Sequence, residues 1–329
     1  MQKYLNILSK PIFMVLIKAF ILLAVLVYIF AKIDVLKQKK LFDIAFDAFS
    51  THTTAIGITF LLVFANWGIE ALKWKISVAP IEKINFSNAF VGVLSGLNIG
   101  ILLPQALGDY AGRIWHLNSA QRTDAISSVF LCHSSQFFIT CFGGVTGAII
   151  FYCNGLYTDY LNITLVSSLV CIVLFTVLLF AFKTMIKRFL TKFPLLVKNY
   201  HYLKSISEME LQLLFQILGL SLLRYFCFLT QFLLVLKAFE VAVPHTILAG
   251  GVMLVFFLKS IVPSFNFLAD LGIREFSALA VFSILGDTLD VKIIAASLTI
   301  WFINLFIPSV LGAFTIFSIN IYRKDEGTL

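Results

Sequence analysis

Long uncharged stretches constrain the fold of this chain more than any other feature. Six segments are apolar over at least roughly the 20 residues that a helix needs to cross a hydrocarbon core of about 30 Å. They are residues 11–31, 52–72, 124–152, 161–182, 209–238 and 291–318. Their apolar residues are continuous and do not alternate, which predicts helices and argues against the strands of a barrel. We therefore expect an all-α polytopic membrane protein with about six full transmembrane helices.

Composition agrees with this assignment and narrows the classes of partner. Hydrophobic residues make up 60% of the chain and charged residues 13%, against about 45–50% and 25% in soluble domains. The net charge of +8 lies mostly in loops beside the spans, where basic residues set topology, so no nucleic-acid partner is expected. The cysteines show no paired spacing, which predicts packing roles and neither a disulfide framework, a metal site nor a cofactor.

Two further apolar segments are too short for a full crossing. Residues 88–103 and 246–262 reach only about 24–26 Å at 1.5 Å per residue. Each ends at a proline, Pro104 or Pro263, and continues into a polar segment. We interpret residues 88–113 and 246–275 as two re-entrant or broken helical hairpins.

The distribution of basic residues orients the chain. The loop at 183–204 is rich in lysine and arginine, whereas the flanking loops at 154–160 and 239–245 contain neither, which places the basic loop in the cytoplasm. If both hairpins turn back, the N-terminus, the C-terminus and Lys73, Lys75 and Lys83 are cytoplasmic as well. One run disagrees, because Lys32, Lys37, Lys39 and Lys40 would lie outside, beside a predicted interfacial helix at 36–49.

The order span, span, hairpin, span occurs twice along the chain. This order predicts one integral membrane domain, residues 1–329, built from two inverted repeats, 1–153 and 154–329. Pro104 and Pro263 then occupy corresponding places. Inverted repeats with matching broken helices indicate the binding site in transporter folds, although any eight-segment chain can be divided in two.

Charged residues in or near the apolar segments are the candidate functional groups. An unpaired charge at the bilayer centre costs about 2.5–3.5 kcal/mol, so these side chains must be paired or face a polar cavity. Asp109 and Arg113 are one helical turn apart and are expected to pair on a helix that starts near Gly108. Arg274 and Glu275 point about 100° apart and need partners elsewhere. Purely structural ion pairs are the alternative.

A helix that restarts inside a membrane has free N–H groups that favour an anion, with phosphate as the expected one. The predicted headgroup-binding or transport residues are Pro104, Gly108, Asp109, Arg113, Arg224, Lys259, Asp270, Gly272, Arg274 and Glu275. His116 and His133 are interpreted as satisfied polar residues, with a role as proton relays as the alternative. We expect Trp67, Trp74 and Trp115 to anchor the inner membrane interface.

Three stretches resemble a known family. LPQALGDYAGR at 103–113 is similar to the P-x-x-x-G-[DE] signature of the transmembrane region of lysylphosphatidylglycerol synthases, also called the flippase-like domain. NWGIEALKWK at 66–75 and VPSFNFLADLGIREF at 262–276 resemble other recurring stretches of that family. The resemblance spans about residues 5–320. It departs from the signature in having Asp109 where glutamate is commoner and Arg113 four residues later instead of three.

The resemblance implies a lipid-translocating domain, which in the synthases precedes a catalytic domain that transfers lysine from a transfer RNA. No such domain follows residue 329, so aminoacyl transfer is not expected. Three functions stay open. The first is a non-enzymatic flippase for a phospholipid or polyprenyl-phosphate-linked headgroup in the inner cell membrane; the others are a membrane enzyme and a scaffold for a partner enzyme. Homo-oligomerisation is also left open.

Overall fold

The computed structural model describes residues 41–102, 105–118, 122–156, 161–173, 211–261, 267–286 and 290–316, and every regular element within these ranges is helical. The helices are α1 Leu41–Thr51, α2 Thr53–Val78, α3 Phe86–Leu102, α4 Gln105–Trp115, α5 Ala125–Cys153, α6 Leu161–Val173, α7 Leu211–Ala238, α8 His245–Ile261, α9 Phe267–Phe282, α10 Asp290–Trp301 and α11 Ile307–Ile316. A 3₁₀ turn, Ser283–Leu285, follows α9, and a π-helix, Phe302–Phe306, joins α10 to α11.

Four described helical segments are long and apolar enough to cross a membrane. They are Thr53–Val78, Ala125–Cys153, Leu211–Ala238 and Val291–Ala313, which confirms four of the six predicted spans. The predicted span at 161–182 is described as far as residue 173, as α6. The predicted first span at 11–31, the basic loop at 183–204, Pro104, Pro263 and the lysines at 32–40 lie outside the described residues.

Helices α3 and α4 fold back on each other through glycines. Facing positions pair in opposite order along the two helices: Gly92 with Arg113, Gly96 with Gly112, and Gly100 with Gly108. The absence of side chains there lets the backbones approach closely, as in small-xxx-small packing of membrane helices. Helices α3 and α4 therefore form a closely packed antiparallel pair, whereas the re-entrant hairpin stays a prediction.

Gly108 does not start the second helix of this pair, so that prediction is wrong. Helix α4 begins at Gln105, and Gly108 lies inside it. A methyl group at Gly108 would overlap the backbone of Gly100. Its role is close packing against α3.

A second pair, α8 and α9, occupies the corresponding place later in the chain. Its first helix, like α3, has 17 residues, and the two helices of the pair pack together. The inverted-repeat relation between the two pairs stays a prediction. Helix α8 also packs along α5, and α7 packs along α2, so residues of both halves meet in the middle of the molecule.

Two apolar cores support this arrangement. One centres on buried residues of α7, α8 and α9, such as Phe232, Val252 and Phe282. The other centres on α2, α3 and α5, with Trp74, Val93 and Val129 fully buried. The outward faces of the long helices remain apolar and exposed, which suits contact with lipid in a chain of this hydropathy.

Candidate functional site

One buried carboxylate, Glu70 on α2, holds cations from three helices. Its oxygens lie 2.8 Å from Lys73 Nζ, 2.7 Å from Arg113 Nη2 and 3.1 Å from Arg224 Nη1. The Glu70 side chain is only 4% exposed, so water screens these ion pairs little. Because Lys73 is on α2, Arg113 on α4 and Arg224 on α7, the carboxylate ties these helices together.

Asp109 on α4 extends the network toward α5. Its carboxylate accepts a hydrogen bond from Arg113 Nε at 2.9 Å and lies 2.8 Å from Arg113 Nη2. The predicted pair one helical turn apart is therefore confirmed. The second partner of Asp109 is His133, whose Nε2 lies 2.6 Å from Oδ2 and whose ring stacks on Tyr110 at 5.8 Å.

The other side of the network consists of amides on α2 and in the π-helix. Arg224 Nε donates to Asn66 Oδ1 at 3.0 Å, and Asn66 Nδ2 donates to Asn304 Oδ1 at 3.3 Å. Asn304 lies within Phe302–Phe306, where the helix departs from regular geometry. A chain of polar contacts thus runs from the π-helix to Asp109.

Two tryptophans pack against the guanidinium groups. Arg224 lies 5.6 Å from the centre of the Trp67 ring, and Arg113 lies 5.8 Å from that of Trp74. Both rings are buried within the protein, so their prediction as interfacial anchors is wrong. Lys73, predicted to lie on the cytoplasmic side, is likewise buried at 1% exposure, while its side of the membrane stays a prediction.

A second charge cluster joins α8 to α9. Asp270 Oδ1 lies 2.9 Å from Lys259 Nζ, and Oδ2 lies 3.3 Å from Arg274 Nη2. Asp270 is 1% exposed, whereas Lys259 is 28% exposed and Arg274 13%. The partner that Arg274 needed is therefore the carboxylate one turn earlier on its own helix.

The remaining predicted residues are placed differently. Glu275 is half-buried beside Arg274. Gly272 is exposed, and a methyl group added there would have no described atom within 4 Å, so its binding role stays a prediction. The structure assembles the candidates into two clusters: Asp109, Arg113 and Arg224 around Glu70, and Lys259 and Arg274 around Asp270.

Cations outnumber the paired carboxylates across the two clusters. Lys73, Arg113, Arg224, Lys259 and Arg274 are the five cations, and Glu70, Asp109 and Asp270 are the three carboxylates. Counting the neighbouring Glu275 as well leaves five against four. Among the described residues, the two clusters carry a net positive charge, which favours an anionic ligand.

A cavity of about 180 Å³ lies between α5, α7, α8, α9 and α10. Its polar lining consists of Gln136, Thr140, Tyr225, Lys259, Ser260 and Arg274. Phe256 forms the centre of its aromatic wall, with ring centres 5.7 Å from Tyr225, 6.3 Å from Phe228 and 6.1 Å from Phe232. One face of the cavity is thus basic and polar, and the other is aromatic.

The cavity is also where the two charge clusters meet. Gln136 lines it and accepts a hydrogen bond from Lys73 Nζ at 3.4 Å. Arg224 lies 5.1 Å from the centre of the Phe228 ring, which forms part of the wall. The hydroxyl of Tyr225 is buried beside Gly143 and has no hydrogen-bond partner among the described residues, an arrangement that calls for an explanation in a buried polar group.

Replacing Asp270 by asparagine is expected to destabilise the protein. Lys259 and Arg274 would lose their shared counter-ion and repel each other. We expect the free energy of unfolding to fall by roughly 3 kcal/mol. This is the low end of the range for buried ion pairs, because Lys259 is partly exposed. Unfolding in mixed detergent micelles measures the change. Asp47→Asn, an exposed carboxylate on α1, is the control, and equal effects of the two substitutions would contradict the structural role of Asp270.

Sequence reasoning missed the centre of the first cluster. Glu70 is the lone acid in the predicted span 52–72, and Lys73 follows it by three residues, a spacing at which opposite charges pair on a helix. That spacing is the signal that could have found the pair. Gln136 and Tyr225 carry no such signal, because only the packing of α5 against α7 brings them to the cavity.

Comparison with known families identifies the family of this chain. The family model described as the lysylphosphatidylglycerol synthase TM region matches residues 15–312. That range includes both charge clusters and the cavity. Searches of curated proteins and of solved structures returned no match. On this match and its membrane-spanning helices, the chain is a multi-pass membrane protein that belongs to the lysylphosphatidylglycerol synthase transmembrane-region family.

Proposed function

We propose that this protein translocates a lipid with an anionic headgroup across the cell membrane without catalysing a chemical reaction. The observation that carries the proposal is the cavity in which Lys259 and Arg274 face an aromatic wall. A lipid substrate has a charged end and an apolar chain, and both kinds of surface are present there. The family places the chain in a lipid-related membrane context.

The basic side of the cavity suits a phosphate group. Lysine and arginine form strong, charge-assisted hydrogen bonds with phosphate oxygens. Both side chains keep some exposure while paired with Asp270, so they can contact a headgroup without breaking those pairs. Binding of the anion by restarted helix ends stays a prediction, because the breaks lie outside the described residues.

The two clusters suggest how the cavity changes its exposure. The Glu70 network fastens α2, α4 and α7 together, and Asp270 fastens α8 to α9. In inverted-repeat transporters two units rock against each other around a central site; the units here differ from the two predicted repeats, because the Glu70 network joins α7 of the second repeat to α2 and α4 of the first. We propose the same motion here, with proton exchange at Asp109, Asp270 or Glu275 as the coupling step and the cavity at the boundary between the two units.

Reconstituted vesicles test the proposal. Lys259→Gln and Arg274→Gln are expected to slow translocation of a labelled anionic phospholipid by roughly tenfold or more, because a hydrogen bond to a charged group contributes about 1.5–3 kcal/mol. The readout is the rate at which the label crosses from the inner to the outer leaflet.

Lys237→Gln is the matched control, since Lys237 is an exposed basic residue on α7 that does not line the cavity. It should leave the rate within about twofold of the parent. Equal rates in all variants would contradict translocation through this cavity. Formation of a new lipid product by the purified parent would instead favour the membrane-enzyme alternative, and loss of a bound partner after neutralising the basic loop at 183–204 would favour the scaffold.

A further inference from the structure

We infer that the cavity selects lipids whose headgroup ends in a phosphate ester and rejects headgroups that carry an amine, lysylphosphatidylglycerol included. This inference rests on the proposed function and specifies its substrate class. The inferred substrate class therefore differs from lysylphosphatidylglycerol, the lipid for which the family is named. Three independent features of the cavity support it: the sign of its charges, its size and an unused hydroxyl.

The charged side chains facing the cavity are both cationic. Among the described residues that line it, Lys259 and Arg274 carry charge and none is a carboxylate. Among the described residues, Asp270 contacts both of these cations; it is 1% exposed and has each of its oxygens on one of them. A lysyl ammonium would therefore meet like charges while losing its hydration, which is unfavourable on both counts.

The volume of the cavity limits the headgroup further. A cavity of about 150 Å³ holds a benzene molecule, and enclosed sites for drug-sized ligands are about 300–1,000 Å³. At about 180 Å³, this cavity accommodates a phosphate and the first atoms esterified to it. A lysyl group alone has more non-hydrogen atoms than benzene, so glycerol, phosphate and lysine together would extend out of the cavity, which is partly open.

The donors in the cavity are arranged for an acceptor-rich group. Tyr225 is 5% exposed, lines the cavity and has no hydrogen-bond partner for its hydroxyl among the described residues. A buried hydroxyl without a partner is unfavourable unless a ligand satisfies it. A phosphate oxygen between Tyr225, Lys259 and Arg274 would satisfy it and balance the local positive charge. The Phe256 wall then contacts the first carbons of the lipid chain.

Equilibrium binding of defined lipids tests this inference. The purified full-length protein in phosphatidylcholine nanodiscs is titrated with fluorescent phosphatidate, phosphatidylglycerol or lysylphosphatidylglycerol, and the Kd of each is measured. We expect phosphatidate to bind at least roughly tenfold more tightly than lysylphosphatidylglycerol, the ratio that a single charged contact provides. Equal affinity for these two lipids would overturn the inference.

Two cavity variants and one control locate the selectivity in the cavity. Lys259→Gln should narrow the affinity ratio between the two lipids, whereas Lys237→Gln should leave it unchanged. Tyr225→Phe, which removes one oxygen and keeps the ring, should weaken phosphatidate binding by about two- to tenfold. Tyr225→Phe keeps the test valid if Lys259→Gln does not fold. Unchanged phosphatidate binding in Tyr225→Phe would contradict the assignment of the Tyr225 hydroxyl as a donor.

Inorganic phosphate is the competitor that distinguishes a lipid from a free ion. Displacement of phosphatidate only at much higher phosphate concentration supports a lipid ligand, because the aromatic wall then contributes to affinity. Displacement at equal concentrations would overturn the lipid part of the inference and identify free phosphate as the ligand. Selective binding without any translocation would contradict the proposed function and leave the inference standing. Translocation of both lipids at equal rates, with equal Kd values, would overturn the inference and leave the proposed function standing.

Discussion

Glu70→Gln is expected to lower the free energy of unfolding by about 3–5 kcal/mol, the range for removing one partner of a buried ion pair. The substitution keeps the shape of the side chain but removes its charge. Lys73, Arg113 and Arg224 would then be held together without the carboxylate that lies within 3.1 Å of each. Unfolding in mixed detergent micelles, followed by the loss of helical signal, measures the change.

Two comparisons separate this effect from a general sensitivity to lost acids. Asp47→Asn removes an exposed carboxylate from α1 and should change stability by no more than about 0.5 kcal/mol. Adding Lys73→Met to Glu70→Gln removes one of the unpaired cations and should recover part of the loss, because burying an apolar group costs less than burying an unpaired charge. If Glu70→Gln and Asp47→Asn behave alike, Glu70 is not the centre of the network.

Glu70→Gln is also expected to alter the cavity, since the Glu70 network and the cavity share contacts. Lys73 donates to Gln136, and Gln136 in turn donates to the backbone oxygen of Ser221 at 3.3 Å. Without Glu70, Lys73 would lose its nearest anion and its fixed position beside Gln136. Glu70 is thus a positioning residue for the cavity wall and does not itself line it.

Sequence patterns predict the features that depend on residues close together in the chain. The predicted spans at 124–152 and 209–238 agree with the helices to within two residues, because the length of an apolar run sets the length of a crossing helix. The Asp109–Arg113 pair follows from helical spacing alone. Each of these features depends on residues within one element.

The features that sequence reasoning missed depend on contacts between distant elements. Glu70 and Arg224 are 154 positions apart, and no spacing rule links them. Counting basic residues uses Lys73 only as a signal of topology, because the count treats every lysine as solvated. The cavity arises only when α5, α7, α8 and α9 pack together, so its lining could not be read from any single segment.

The sequence identifies Gly108 as structurally important but assigns it the wrong structural role. Its position after a proline suggests the start of a helix, yet its environment is the backbone of Gly100. The informative pattern is the four-residue spacing of Gly92, Gly96 and Gly100. That spacing is typical of close helix packing in membranes.

Gly112→Ala is the second substitution with a large expected effect. The added methyl group would overlap the backbone nitrogen and Cα of Gly96, and backbone atoms cannot move aside as a flexible side chain can. Overpacking typically costs about 1–3 kcal/mol, and we expect a loss at or above roughly 3 kcal/mol here because α3 and α4 must separate. Arg113, the next residue, would move away from Glu70 in the same displacement.

Gly219→Ala is the matched control for this substitution. Gly219 also lies within a helix, α7, but it is exposed, and a methyl group added there would have no neighbouring atom within 4 Å. Alanine should leave the stability there unchanged or raise it by up to about 1 kcal/mol through its helix propensity. If the two substitutions have similar effects, the contact between α3 and α4 is looser than the glycine pairing implies. If only Gly112→Ala destabilises the protein, close approach of these two helices is what holds Arg113 on Glu70.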